Sequence, residues 1–185
     1  GCDPLTTFEI GLSNVFHVQF GTVALVFEGI MFFVFLFVRK DLVHLGTLAW
    51  CFLIGPFENL WLGILDPILP VASEMSVGLK IVCILLGSAI IIVTLAYYIP
   101  IGLGYQTSDI FAFIAADIVK KSYGIGLIIS YAILFVIGVA LGSSWGIGTL
   151  IAVVAYGPII DRLMVIFEPF SFAVAGMTKE DKKGK

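Results

Sequence analysis

Charge is scarce in this sequence. Asp, Glu, Lys and Arg make up 12% of its 185 residues, against about 25% in an ordinary soluble domain. The ten basic residues form no stripe with interleaved aromatics, which excludes a nucleic-acid-binding surface. Cysteine is sparse as well: Cys2, Cys51 and Cys83 have neither CxxC spacing nor an even count, so neither a disulfide framework nor a thiolate metal site is expected. With two histidines, His17 and His44, no His, Cys, Asp and Glu cluster has metal-ligand spacing. No GxSxG, HExxH or paired catalytic carboxylates occur, so no enzymatic activity, catalytic residue, metal or cofactor is expected.

In place of charge there are long apolar runs. Hydrophobic residues account for 60% of the chain and the mean hydropathy is +1.12. Five stretches, approximately 21–38, 44–65, 78–101, 123–141 and 148–167, are long enough and apolar enough to cross a bilayer as helices. The expected fold class is therefore an all-α, multi-spanning helical membrane bundle, with the lipid bilayer as its main surroundings.

Motifs recur along the chain at an offset of about 102 residues. Gly46-Thr47-Leu48 returns as Gly148-Thr149-Leu150, and Gly55-Pro56 returns as Gly157-Pro158, with Asn59 answered by Asp161. Upstream, the segment from Gly1 to Phe8 resembles that from Gly104 to Ile110. Two repeats follow, at 1–70 and 71–176, with a polar cytoplasmic tail at 177–185. The second repeat opens on the span 78–101, and the first has no counterpart to it within this sequence, so one more span is expected before Gly1.

Two segments, 5–18 and 107–120, are 14 residues each. As helices they would reach about 21 Å, short of a hydrocarbon layer of about 30 Å. They carry Glu9, Asn14 and His17, and Asp109, Asp117 and Lys120. Both read as short broken or re-entrant helices, capped by Asp3 or Thr6 and by Thr107 or Ser108. Three complete spans per repeat is an odd number, which inverts one repeat relative to the other. With the tail in the cytoplasm, Arg39, Lys40, Lys120, Lys121 and Arg162 fall on the cytoplasmic side and Lys80 alone outside, as the positive-inside rule favours.

The run Gly102-Leu103-Gly104-Tyr105-Gln106-Thr107-Ser108-Asp109-Ile110, followed by Gly146-Ile147-Gly148-Thr149-Leu150 and Gly157-Pro158-Ile159-Ile160-Asp161, resembles the YczE/YyaS/YitT-like bacterial membrane proteins. That resemblance implies an integral protein of the bacterial inner membrane and no settled activity.

Ionisable groups inside apolar spans are functional candidates by default, which singles out Glu28 and Glu58. If the short helices meet inside the bundle, their N-termini bring Asp3, Thr6, Thr7, Thr107, Ser108 and Asp109 to the same place. These eight residues form the candidate substrate-binding set. The expected function is a small-solute transporter or channel, its solute polar or anionic because helix N-termini favour negative charge. The alternative is a non-transporting subunit or assembly partner of a larger complex, and a homo-oligomer or membrane partner accords with either.

Overall fold

The computed structural model of the chain describes residues 1–68 and 74–177; the polar tail beyond Met177 and part of the 66–76 loop lie outside the described residues. Those residues form seven α-helices and no strand: α1 (Pro4–Phe16), α2 (Phe20–Val38), α3 (Leu45–Leu65), α4 (Val77–Tyr98), α5 (Thr107–Val119), α6 (Tyr123–Ala140) and α7 (Ile147–Ala175). A 3₁₀ turn at Ile99–Ile101 extends α4. Five helices are long and apolar enough to cross a membrane, namely α2, α3, α4 with its 3₁₀ turn, α6 and α7. The two short helices have 13 residues each, about 20 Å, and neither reaches that length.

Sequence explains both ends of the short helices. In α1 the Asp3 carboxylate accepts from the Leu5 and Thr6 amides at 3.0 and 3.2 Å, and Pro4 begins the helix. Proline suits the first helical position because that amide has no intrahelical partner. At the other end His17 and Lys120, both at φ 55°, are the only non-glycine residues with positive φ among the described residues. Each closes its helix with a long-range turn bond: the Val18 amide donates to the Ser13 carbonyl at 3.3 Å, and the Lys121 amide to Ala116 at 3.0 Å. Left-handed residues followed by such bonds satisfy carbonyls that a helix end leaves free.

Close helix contacts are made at glycines. Gly21 packs on Gly55, and Gly124 on Gly157. A Cβ on any of these would collide with the facing backbone, so small residues let the helices approach. Beside each contact a side chain takes up a backbone donor: the Gly21 amide donates to Asn59 Oδ1 at 3.2 Å, and the Gly124 amide to Asp161 Oδ1 at 2.8 Å. The α2–α3 and α6–α7 pairs are thus built alike.

Contacts also fix the helix directions. At the end of α1, Asn14 Nδ2 donates to the Gly142 carbonyl at 3.1 Å, while Thr7 and Phe8 lie against Gly138. Since α2 begins immediately after α1, its start stands beside the end of α6. At the opposite end, Arg39 after α2 reaches Asp117 near the end of α5 at 2.6 Å, and α6 begins directly after α5. Helices α2 and α6 are therefore antiparallel. Helix α4 runs parallel to α7, with Ser88 bonded to Tyr156 at 2.8 Å and the Tyr97 carbonyl to Ser171 at 2.7 Å.

The structure moves two expected boundaries. Helix α7 runs to Ala175 through Pro158 and Pro169, eight residues beyond the expected 148–167. Its last turns are held by the Ser171 bond to α4 and by Phe172, which is 4% exposed, and this packing outweighs the amide lost at Pro169. Helix α3 runs through Pro56 over the expected span. The cap of α5 is Gln106, which makes no side-chain cap bond; Thr107 and Ser108 are the first helical residues.

Arg39 also bonds Asp41 at 2.8 Å, and that hydrogen bond holds the Asp41 carboxyl below its usual range. A lowered carboxyl contributes stability above its unfolded-state pKa, about 3.9, and loses it as the pH falls through the folded value. Asp41 is more than half exposed, so the contribution is screened and under about 1 kcal/mol. Asp41→Asn is therefore expected to lower Tm slightly at pH 7 and by less near pH 3, as the pH falls toward the folded value. Thermal unfolding at both values, in low and high salt, checks this.

Candidate central polar cavity

Each half of α6 carries a different short helix. Gly126, near its start, packs on Ala112 and Ala116 of α5, whereas Gly138 packs on Thr7 and Phe8 of α1. Both short helices direct their N-termini at the middle of α6, where Tyr131 stands 2% exposed. A cavity of about 150 Å³ lies there, bounded by Asp3, Leu5, Thr6, Glu9, Glu28, Trp50, Ile54, Glu58, Ile91, Gln106, Ser108 and Tyr131. It is the meeting point of α1, α2, α3, α4, α5 and α6.

Five of the eight residues singled out in the sequence line this cavity: Asp3, Thr6, Glu28, Glu58 and Ser108. Thr107 is adjacent but fully buried, and its hydroxyl donates to Glu28 Oε2, which also accepts from Cys51 Sγ at 3.4 Å. Two residues are turned to other uses. The Thr7 hydroxyl donates to the Asp3 carbonyl at 2.9 Å inside α1. Asp109 is wholly buried away from the cavity, where its carboxylate accepts from the hydroxyls of Tyr98 and Tyr123, the latter at 2.7 Å, and from Gln106 Nε2 at 3.2 Å.

Glu9, Trp50, Gln106 and Tyr131 are the polar and aromatic lining residues that sequence reasoning did not select. In the sequence Glu9 reads only as a polar residue of a short helix. Glu9 is 3% exposed, and among the described residues its charged neighbours are the acidic groups Glu28, Glu58 and Asp3. Glu28 Oε1, Glu58 Oε2 and Trp50 Nε1 are buried without a hydrogen-bond partner, although the indole faces Glu28. No Lys, Arg or His lines the cavity. Among the described residues no three His, Cys, Asp or Glu side chains stand close enough together to hold a metal ion.

Five long apolar helices, two short helices whose N-termini border one cavity and the carboxylates that line it define the class: a helical bundle with several candidate membrane spans. The chain belongs to a family of unknown function, DUF6198, whose model matches residues 1–165. That match takes in every cavity residue and ends within α7. No curated protein and no solved structure matches the chain.

Proposed function

We propose that the protein is a multi-pass protein of the bacterial cell membrane that moves a small solute through the central cavity. The observation that carries this reading is the convergence of the α1 and α5 N-termini on one polar cavity that Glu28 and Glu58 also line. Irregular backbone and unpaired polar groups at membrane depth are tolerated where they border a protein-lined cavity, and broken helices that meet at the midplane are a common way to build a solute site.

The bundle is read as two inverted repeats, α1–α3 and α5–α7. Several features support this. His17 and Lys120 share one left-handed geometry 103 residues apart. The Gly21–Asn59 bond has its counterpart in Gly124–Asp161. The start of α3 is held by the Gly46 amide donating to the Leu103 carbonyl at 2.9 Å, and the start of α7 packs on Gly1, so each repeat supports the other. Antiparallel α2 and α6 accord with inversion. Arg39, Lys40, Lys120 and Lys121 then share one end of the bundle, the cytoplasmic one by the positive-inside rule. The family found for the chain is DUF6198 and no match ties it to the YczE/YyaS/YitT-like proteins, so the membrane placement rests on the five apolar helices.

Inversion predicts opposite exposure for the C-terminal ends of the two short helices. In a Cys83→Ser background, Lys121→Cys is expected to react with a membrane-impermeant maleimide from the cytoplasmic side only, and Asn14→Cys from the other side only. Labelling both from one side would end the inverted reading. Transport itself is tested by solute flux in proteoliposomes of the full chain: flux that Glu28→Gln abolishes upholds it. A sealed, folded preparation that passes no small ion or polar solute removes it, and a stably co-purifying membrane protein would then favour the subunit alternative.

A further inference from the structure

The charge of the central cavity is one-sided. Its unpartnered polar atoms are two carboxyl oxygens, Glu28 Oε1 and Glu58 Oε2, which are acceptors, and one neutral donor, the Trp50 indole N–H, which faces Glu28. Glu9 is buried against other acids with no hydrogen bond to offset the loss of water, and a buried carboxylate left in that condition is costly unless a donor reaches it. The α1 N-terminus does not offer an anion site to balance this: the Leu5 and Thr6 amides are taken by the Asp3 carboxylate and the Thr7 amide by the Asp3 carbonyl. At α5 the Asp109 and Ile110 amides are taken by the Gln106 carbonyl, which leaves only the Thr107 and Ser108 amides uncapped.

Taking the cavity to be the solute site, we propose that its ligand is a small donor-only monocation of the ammonium or guanidinium class, held by Glu28, Glu58 and Glu9 beside Trp50 and Tyr131. Three observations favour a polyatomic cation over the other occupants. An anion would meet Asp3, Glu9, Glu28 and Glu58 with no basic residue among the lining. A coordinated metal would need a compact ligand set, which the described residues do not form. The cavity, at about 150 Å³, has room for about five non-hydrogen atoms, taking about 30 Å³ as the share of one water, and its carboxylates stand around that space rather than on one point. Two aromatic side chains of the lining, Trp50 and Tyr131, add attraction for a cation and little for an anion.

The test uses the full chain purified in nanodiscs, with methylammonium and guanidinium chlorides at millimolar concentration as probes. Sodium chloride, sodium formate and sodium nitrate at equal ionic strength are the comparisons. A saturable rise in Tm is expected with the organic cations alone. The apparent affinity is expected to fall about tenfold in Glu28→Gln and in Glu58→Gln, the loss of one charge-assisted hydrogen bond. Glu58 Oε2 has no partner to lose, so Glu58→Gln keeps the test readable if Glu28→Gln folds poorly. Stabilisation by formate or nitrate, no saturable effect of either cation, or unchanged affinity in folded Glu58→Gln overturns the inference. Flux measured on the same preparations separates it from the transport reading. Saturable cation binding without flux keeps the cation site and removes transport, whereas formate or nitrate flux indifferent to the cations keeps transport and removes the cation site.

Discussion

Gly126→Leu is expected to prevent the bundle from assembling. Gly126 faces the backbone of α5 so closely that a Cβ there would overlap the Ala112 carbonyl and press on Ala116 within 2.8 Å. A backbone carbonyl cannot move aside as a flexible side chain can, so α5 must slide or leave. Overpacking of a well-filled core costs about 1–3 kcal/mol when side chains absorb it, and a collision with main chain is expected at or above the top of that range. The displaced helix carries Asp109 and Thr107, so the Tyr98, Tyr123 and Glu28 hydrogen bonds are at risk with it. Gly63→Leu is the control, because nothing lies within 4 Å of a Cβ at that position. Folded yield by size-exclusion chromatography and Tm in one detergent separate the two: Gly126→Leu is expected to be lost or strongly destabilised, and Gly63→Leu to behave as wild type. A stable Gly126→Leu would mean that the α5–α6 contact is not as tight as the structure has it.

The long helices were legible because apolar run length alone reports them. The expected starts of α2, α3, α4, α6 and α7 fall within one residue of those observed. The end of α7 was not legible, since Pro169 and Glu168 read as a stop and the packing of Phe172 and Ser171 that carries the helix onward is a tertiary fact. Both short helices were readable from their polar residues and flanking glycines. The cavity was half legible. Glu28 and Glu58 stand out as acids in apolar runs, whereas Tyr131 and Trp50 are indistinguishable in sequence from the other aromatics. Tyr131 lies 103 residues after Glu28, the offset that joins His17 to Lys120, and aligning the two segments position by position would have placed it. Asp109 shows the opposite error: an acid at a helix start reads as a site residue, yet two tyrosines and a glutamine occupy its oxygens, and only the fold brings Tyr98 and Tyr123 to it.

Glu28→Leu is expected to cost more than any other substitution in the cavity, because Glu28 joins two halves of the molecule as well as lining the space between them. Its Oε2 accepts from Thr107 at the start of α5 and from Cys51 in α3, at 1% exposure of the residue. Leucine fills a similar volume but leaves both donors buried without an acceptor, at about 1–3 kcal/mol for each group stranded in this way. The thiol is the weaker donor, so most of the loss is expected from Thr107. A double-mutant cycle with Thr107→Val isolates it. Thr107→Val removes the donor as well as the bond, so the pair Glu28→Leu with Thr107→Val is expected to be less destabilised than the sum of the singles by about 1–3 kcal/mol. Glu28→Gln keeps an acceptor oxygen for Thr107 and is expected to fold close to wild type while losing flux, which separates the structural bond through Oε2 from the charge that Oε1 presents to the cavity. Additive single effects in the cycle would show that Glu28 and Thr107 do not meet, and α2 would then have to be placed differently against α5.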